Sequence, residues 1–342
     1  MANVSVGILG LGRIGASMAL ALKRYSASKD AHHIFDVVVS DSRAGVREEA
    51  QKMGIAQRIE RNLFDAAENR DIVVFALPYA EVKAAYEVIG PLLRPGAVIL
   101  DTSPLKQPSL EWAKKYLRAE AHVVGITPIL NPKYLFEGVD DTQYAREDLF
   151  DKGTMLLMPG VSAIKDAVEL ASDFSTLLGA TPHFLDPAEH DGLVALTEGL
   201  PALLGVAAFY LLQQNRGWGD IQRLTNPAFG LLTHHLFDTH PDDLRDSWLN
   251  NRDNLLRSLD EFMSTLRTFR DVLAANDQAA LESVLIKSSE EYSAWINRRH
   301  NARWEETSAS QTPTMGQFMF GNMMGSLLSK RFRRDDNGDK DE

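Results

Sequence analysis

The chain has 342 residues, of which 44% are hydrophobic and 24% are charged, a composition typical of a globular protein with room for two domains. Its net charge of −11 provides no general basic surface, which argues against nucleic-acid binding. The absence of cysteine excludes disulfides, thiolate nucleophiles and cysteine-ligated metal centres.

A glycine-rich segment follows the first apolar run of the chain. The run from Val4 to Leu9 is typical of a buried strand, and it leads into the sequence Gly10-Leu11-Gly12-Arg13-Ile14-Gly15 at the start of a helix-forming stretch. In this context Gly10 permits a tight turn, Gly12 lets the main chain approach a pyrophosphate, and Gly15 lets the helix pack on the strand. The segment predicts a dinucleotide-binding turn whose helix N-terminus donates N–H groups to phosphate. A glycine-rich turn in another kind of α/β domain is the alternative.

A second apolar run, from Ile34 to Ser40, ends at Asp41. A carboxylate at this place can accept hydrogen bonds from the ribose hydroxyls of the adenosine half and would repel a 2′-phosphate, so NAD is the predicted coenzyme. Arg43 lies two residues later and could favour that phosphate, which leaves NADP as an alternative.

Strand-like and helical patterns then alternate through the first half of the chain. Apolar runs at residues 72–77, 98–101, 123–126, 155–158 and 182–185 predict strands, and amphipathic segments near 81–89, 110–117 and 164–178 predict helices. This alternation indicates a Rossmann-type parallel sheet covered on both faces, over residues 1–186. Ligands are expected at the carboxyl ends of its strands.

The second half changes character at about Pro187. Helical periodicity continues to about Trp304 without a strand pattern, which predicts an all-α C-terminal domain over residues 187–307. Its wide apolar faces, at residues 193–213, 255–273 and 281–295, exceed what one small domain can bury, so we expect a homodimer through these helices. A self-contained helical bundle is the alternative.

The remaining segments bear on location. Residues 308–342 are predicted to be a flexible tail, because a Met-, Phe- and Gly-rich part is followed by a charged end. The apolar stretch from Leu200 to Leu212 is too short to cross a bilayer, so no membrane span is predicted. No signal-peptide pattern precedes the first strand, which leads us to expect a cytoplasmic protein.

Beyond the glycine motif, an ordered series of segments resembles the prephenate/arogenate dehydrogenase family. The segments are Asp71 to Pro78, Leu93 to Asp101, Lys106, Gly125 and Pro128, Asp148-Leu149-Phe150, Leu178-Gly179-Ala180, and Pro187 to Asp191 ahead of Leu200-Pro201. The similarity extends over residues 4 to 300. Many dehydrogenases share its first half, whereas the His190-Asp191 helix is more diagnostic.

The resemblance implies a reaction and a set of contacts. A cyclohexadienyl ring would give a hydride to the nicotinamide, lose carbon dioxide and become aromatic, so the expected partner is a small carboxylated substrate. Leu77 and Pro78 would contact the coenzyme together with the glycine turn. The protein would accept the proton of the ring C4 hydroxyl and hold the carboxylates with cations.

The chain departs from the family pattern at four places in the expected site. The family's Gly-x-His-Pro reads Gly125-Ile126-Thr127-Pro128, and its Ser-His-Leu-Pro reads Glu198-Gly199-Leu200-Pro201. His234 stands where the resemblance places a carboxylate-binding arginine, and the Asp-x-x-Ser-x-Lys turn from Asp101 to Lys106 has its serine shifted to Ser103. The site is therefore rebuilt with other groups, acts on another substrate, or is inert.

For a rebuilt site, six residues are candidates. They are Glu198 as a base, His190 or His234 as a proton relay, Lys106 as an anion contact, and Thr127 and Ser103 as contacts to coenzyme or substrate. Structural alternatives are a solvated surface position for Glu198, helix capping for His190 and an ordinary exposed lysine for Lys106. No metal is predicted, because the adjacent histidines at 32–33 and 234–235 are expected to point in alternate directions without a carboxylate to complete a site.

Three functions follow from these observations. The leading hypothesis is an NAD-dependent dehydrogenase of the prephenate/arogenate type, or a relative acting on another small carboxylated substrate. A hydroxyacid or imine reductase on the same scaffold is less favoured, because residues 193–214 lack the lysine that the hydroxyacid branch typically has there. The third is a dinucleotide-binding regulatory or partner protein without turnover.

Overall fold

The computed structural model of the protein describes residues 2–137 and 139–301. The predicted tail, residues 308–342, and the end of the predicted helical domain lie outside these residues. The strands are β1 Ala2–Leu9, β2 His33–Ser40, β3 Arg58–Glu60, β4 Ile72–Phe75, β5 Val98–Asp101, β6 His122–Ile129, β7 Thr154–Pro159 and β8 Thr181–Phe184. The helices of the first part are α1 Arg13–Ser26, α2 Ala44–Lys52, α3 Leu63–Ala67, α4 Tyr79–Ile89, α5 Lys106–Tyr116 and α6 Lys165–Leu177.

The strands form one eight-stranded sheet in the order β3-β2-β1-β4-β5-β6-β7-β8. All neighbouring pairs are parallel except β6 and β7, which are antiparallel. The predicted Rossmann-type sheet is therefore confirmed, and β6–β7 is the pair that departs from parallel order. Between the two strands the described residues form two 3-10 turns, Pro132–Tyr134 and Thr142–Tyr144, and no crossover helix of the kind that a parallel connection needs.

Alternating side chains place a core on each face of the sheet. In β4, Ile72 and Val74 belong to the apolar cluster that includes residues of α1, whereas Val73 and Phe75 belong to the cluster that includes residues of α4. Such near-continuous apolar strands are what a sheet covered on both faces requires. The strand order reverses between β1 and β4, which creates a crevice at their carboxyl ends, the usual place for a ligand in an open α/β sheet.

The chain continues as helices after β8. They are α7 Pro187–Val194, α8 Leu200–Gln213, α9 Trp218–Ile221, α10 Pro227–Thr233, α11 His235–Asp238, α12 Pro241–Asn250, α13 Arg252–Ala274 and α14 Gln278–Asn301, and a π-helical segment, Ala195–Gly199, joins α7 to α8. The described residues fall into two compact units, one ending at Asp260 and the other beginning at Glu261.

One continuous helical stretch among the described residues, Pro187–Gln213, is long and apolar enough to cross a membrane by length and composition. It is longer than the 200–212 stretch recognised in the sequence, because α7 and the π-helical segment continue into α8. Core helices of proteins that never enter a membrane meet the same criterion. Only 22% of its most apolar window is buried within this chain.

Candidate active site

The glycine turn lies at the crevice between β1 and β4. Gly10 has a φ of +98°, and a Cβ atom there would lie 2.1 Å from the main-chain oxygen of Ala76 in the turn after β4, so only glycine is tolerated. Gly12 caps α1, whose first residues are Arg13 and Ile14, and Gly15 lies one turn into the helix against Gly10. Leu77 and Pro78 follow β4 on the other side of the crevice, and Pro78 precedes α4.

Asp41 is fixed just beyond β2 and is only 4% exposed. Its carboxylate accepts the Leu11 N–H at 3.1 Å and binds the Arg43 guanidinium through both oxygens, at 3.0 and 2.9 Å. Burial alone would raise the pKa of this carboxyl, but Arg43 and the main-chain N–H groups of Arg43 and Leu11 bring the pKa below its ordinary value. Asp41 is therefore an ionised acceptor at neutral pH, whereas Arg43 is already paired with it.

A second carboxylate occupies the N-terminus of α1. The Arg13 main-chain N–H donates to Asp140 Oδ1 at 2.7 Å, and a Cβ atom on Gly12 would lie 3.0 Å from the same oxygen. The Arg13 guanidinium is held nearby by Glu137. Asp140 is accessible in the open crevice, yet the surrounding protein desolvates it enough to raise the pKa of its carboxyl. An anion-binding helix end is thus taken by an anion of the chain itself.

These residues fit a nicotinamide dinucleotide on one condition. The glycine turn leaves space for main chain to approach phosphate, the α1 N-terminus offers its N–H groups, and Asp41 presents an ionised acceptor. Asp140 has to withdraw from Arg13 N before a pyrophosphate takes its place.

A hydrogen-bonded chain links β6 to α7. Thr127 Oγ1 lies 2.9 Å from His190 Nε2, and His190 Nδ1 lies 2.9 Å from Asp191 Oδ1. Asp191 also accepts the main-chain N–H groups of Lys106 and Gln107 at 2.8 and 2.9 Å, so its carboxylate is a fixed acceptor at the start of α5. His190 Nδ1 must therefore donate to Asp191, which leaves the Nε2 lone pair to accept the Thr127 hydroxyl proton.

This arrangement orients a base next to a hydroxyl. His190 is 1% exposed and Asp191 is 2% exposed, whereas Thr127 is half-buried near the carboxyl end of its strand. Thr127 is thus the most exposed of the three residues, and neither Thr127 nor His190 is among the lining residues of the cavity described below. Thr127, His190 and Asp191 correspond to the hydroxyl, the imidazole and the carboxylate of a catalytic triad, in which the carboxylate fixes the imidazole tautomer.

Lys106 is not the exposed loop residue suggested by the sequence. It begins α5 and is 0% exposed, and its Nζ donates to the main-chain oxygens of Asp101, Ser103 and Ile126 at 3.1, 2.5 and 2.8 Å. Burial lowers the pKa of Lys106 to about 8, although the negative charges of Asp101, Asp191 and Glu198 act to raise it. All three ammonium protons are engaged, so the observed role of Lys106 is to tie the β5–α5 turn to β6.

Ser103 belongs to the same turn and is 2% exposed. Its main-chain N–H donates to Asp101 Oδ1 at 2.7 Å, and its hydroxyl donates to Leu105 O at 3.3 Å. Tyr86 donates to the second Asp101 oxygen at 2.6 Å. Ser103 thus stabilises the turn in this conformation and does not present its hydroxyl to the crevice.

Glu198 lies in the π-helical segment and lines a cavity of about 160 Å³. The walls of the cavity come from the residues after β4 and β5, from α7 to α8 and from α11 to α13, and include Tyr79, Leu105, Val194, His235, Asp243 and Trp248. The surrounding protein raises the pKa of Glu198, and the nearby His190 and Lys106 partly offset this effect. An engineered cavity of roughly 150 Å³ holds benzene, so this one suits a single six-membered ring.

His234 lies apart from the Thr127–His190–Asp191 chain. It caps the end of α10 beside His235 and Asp238, and it is His235 that lines the cavity. Asp140, Asp191 and His235 were not predicted from the sequence as site residues. Asp191 directly follows His190 and could have been recognised as the partner that orients it, whereas Asp140 gives no local signal because its contact is 127 residues distant in the sequence.

Comparison with known families and proteins shows similarity over most of the chain. Residues 18–182 match the family model described as prephenate dehydrogenase, nucleotide-binding domain, and residues 186–287 match prephenate dehydrogenase, dimerization domain. The chain is 25% identical over 283 residues to the cyclohexadienyl dehydrogenase of Zymomonas mobilis, covering 80% of this chain and 89% of that protein. It is also 25% identical over 274 residues to the prephenate dehydrogenase of Bacillus subtilis, covering 79% and 70%.

Solved structures agree with this fold. Prephenate dehydrogenase from A. aeolicus, in complex with hydroxyphenyl propionate and NAD+, superimposes with a TM-score of 0.69 at 19% identity, over 85% of this chain and 98% of that one. Synechocystis arogenate dehydrogenase gives a TM-score of 0.62 at 19% identity, over 85% and 100%.

Proposed function

Because the chain belongs to the prephenate dehydrogenase family, we propose that it is an NAD-dependent dehydrogenase that oxidises and decarboxylates a small cyclohexadienyl carboxylate. The observation that supports the proposal is the Thr127–His190–Asp191 hydrogen-bonded chain, in which an oriented imidazole lies next to a half-buried hydroxyl near the carboxyl end of β6. The relatives named above support the class of reaction.

The coenzyme would be held by the glycine turn, by the α1 N-terminus after Asp140 withdraws, and by Asp41. When bound, the oxidised nicotinamide supplies the hydride acceptor. Asp41 favours NAD, because an ionised carboxylate repels a 2′-phosphate. Arg43 pairs with Asp41 and weakens this preference, so NADP is expected to bind less well than NAD without being excluded.

Thr127 and His190 would handle the proton of the ring hydroxyl. As the hydride leaves C4, the hydroxyl on that carbon gives its proton to Thr127 Oγ1, and the Thr127 hydroxyl gives its own proton to His190 Nε2. Asp191 stabilises the imidazolium that forms. Loss of carbon dioxide then leaves the electron pair in the ring and negative charge on the C4 oxygen. The proton returns to this oxygen from His190 through the Thr127 hydroxyl.

The charge of the cavity bears on the substrate. Glu198 and Asp243 both line it, and Asp243 is held in place by the Ala80 N–H at 2.8 Å. Carboxylates that line a small cavity favour a ligand that carries an ammonium group. They disfavour an anionic ligand that has carboxylates and no ammonium group. We therefore propose a substrate of the arogenate kind, which carries an amino group where prephenate has a keto group.

We also propose that the protein works as a cytoplasmic homodimer. The helix Pro187–Gln213 leaves most of its apolar surface uncovered, including Tyr210 and Leu211, which are 61% and 71% exposed. This surface lies within the part that matches the dimerization domain of the family. Light scattering is expected to give twice the chain mass of 38.0 kDa without detergent, and a monomer at micromolar concentration would contradict the proposal.

The alternative is a dinucleotide-binding protein without turnover, which the replacement of the family's histidines at Thr127 and Gly199 favours. The deciding experiment mixes the full chain with NAD or NADP and with arogenate or prephenate, and follows the absorbance of the reduced coenzyme. We expect turnover with NAD and arogenate, and slower turnover in Glu198→Gln. Coenzyme binding without turnover on either acid would contradict the proposed activity and favour the alternative.

A further inference from the structure

His234, His235 and Asp238 form a compact group where α10 gives way to α11. His234 ends one helix and precedes the next, so the two imidazoles lie side by side with ring centroids 4.0 Å apart instead of pointing in opposite directions. Asp238 follows one turn later. One potential ligand atom from each of the three residues lies within 4.8 Å of the others.

The hydrogen bond of His234 prepares it as a ligand. Its Nδ1 lies 2.8 Å from the main-chain oxygen of Leu231, and a carbonyl can only accept, so Nδ1 carries the proton. Nε2 then carries the lone pair that a metal ion would use. Histidines that ligate metals commonly have this second interaction, which fixes the tautomer and the ring direction.

Charge and burial around the group favour a cation. His234, His235 and Asp238 are all half-buried, so water only partly surrounds the group. The negative charge of Asp238 contributes to the raised pKa of Asp140. Asp243 and Glu198 line the neighbouring cavity, so the surroundings of the group are acidic.

We propose that His234, His235 and Asp238 bind one divalent transition-metal ion of the zinc class at the edge of the cavity. Two imidazoles and one carboxylate are the ligands that zinc accepts, whereas calcium and magnesium prefer sites made of oxygen alone. Ligand atoms around a tetrahedral zinc lie about 3.3 Å apart, given metal–nitrogen bonds of about 2.0 Å. Side-chain movements of about 1 Å would therefore bring the three ligand atoms to bonding distance of one ion.

The site has a consequence for ligands of the cavity. Three protein ligands leave a fourth position open on a tetrahedral ion. His235 lies both in the group and in the cavity wall, so a carboxylate in the cavity could reach that position. The ion would supply positive charge near the place where the sequence has His234 instead of the expected arginine.

The test uses the full chain after treatment with a chelator and dialysis. Titration with Co²⁺ is expected to produce visible d–d absorption bands that saturate at one equivalent per chain, and Zn²⁺ should displace the bands. His234→Asn and Asp238→Asn are each expected to weaken Zn²⁺ binding, measured by calorimetry, at least tenfold. His235→Gln provides a third variant if one of the first two does not fold by circular dichroism.

His32→Asn is the matched control, because His32 is exposed and belongs to the other adjacent pair of histidines. It should leave the Co²⁺ bands and the Zn²⁺ affinity unchanged. The proposal is overturned if the unmodified chain binds Zn²⁺ no more tightly than the variants, or if His32→Asn weakens binding as much as His234→Asn. Since binding is measured without substrate, this result does not depend on the dehydrogenase activity.

Discussion

Thr127→Val is expected to lower kcat by about 10²- to 10⁴-fold, the usual contribution of a positioned proton acceptor. Valine keeps the shape of threonine but removes the hydroxyl that lies 2.9 Å from His190 Nε2. The ring hydroxyl then has no path to the imidazole. His190→Asn should cause a loss of the same order. The double variant should lose little more, because the two groups act as one unit.

Controls separate this role from a structural one. Thr127→Ser retains the hydroxyl and should recover activity to within a few-fold. His183→Asn changes an exposed histidine on β8 and should leave kcat unchanged. The Kd for NAD, measured by fluorescence, should stay the same in all of these variants. Equal activity of the valine and serine variants would show that the hydroxyl carries no proton.

The sequence predicts the frame of this site because its signals are local. The strand–glycine turn–helix segment around Gly10 and the alternating apolar residues of β4 follow from backbone geometry and burial over a few neighbours. The antiparallel β6–β7 pair was not predicted, because strand direction depends on how residues 130–153 pack and not on the composition of either strand.

The roles of individual side chains were harder to predict, because each depends on distant partners. The Lys106 ammonium is satisfied by three carbonyl oxygens that come together only in the folded turn. Glu198 is an exposed residue, as its place in the sequence suggests, but it also lines the cavity, and this depends on distant residues of α11 to α13. His234 and His235 were expected to diverge, and the break between two helices brings them together.

Asp140→Asn is expected to tighten NAD binding about tenfold at neutral pH. The Asp140 carboxylate holds the Arg13 N–H at 2.7 Å, at the helix end where a pyrophosphate would bind. A hydrogen bond to a charged group contributes about 1.5–3 kcal/mol, roughly twice a neutral one. Asparagine therefore competes less well, and it removes the repulsion between two anions at one helix N-terminus.

The pH dependence gives this prediction a second readout. Because the pKa of Asp140 is raised, its carboxyl is protonated at a higher pH than an ordinary aspartate. The NAD affinity of the unmodified chain should therefore increase as the pH falls through that pKa, whereas the affinity of Asp140→Asn should change little. The difference between the two proteins is largest above the pKa. Arg13, Arg43 and Asp238 also act on this carboxyl, but they are the same in both proteins.

Asp141→Asn is the matched control for the loss of one negative charge in the same segment. Asp141 is exposed and its side chain accepts the Gln143 N–H at 3.0 Å, a cap that asparagine preserves. Isothermal titration with NAD should thus give the unmodified affinity for Asp141→Asn and a tighter one for Asp140→Asn. If the two variants bind NAD equally well, Asp140 does not compete with the pyrophosphate, and the fit of the coenzyme to this crevice must rest on another movement of the chain.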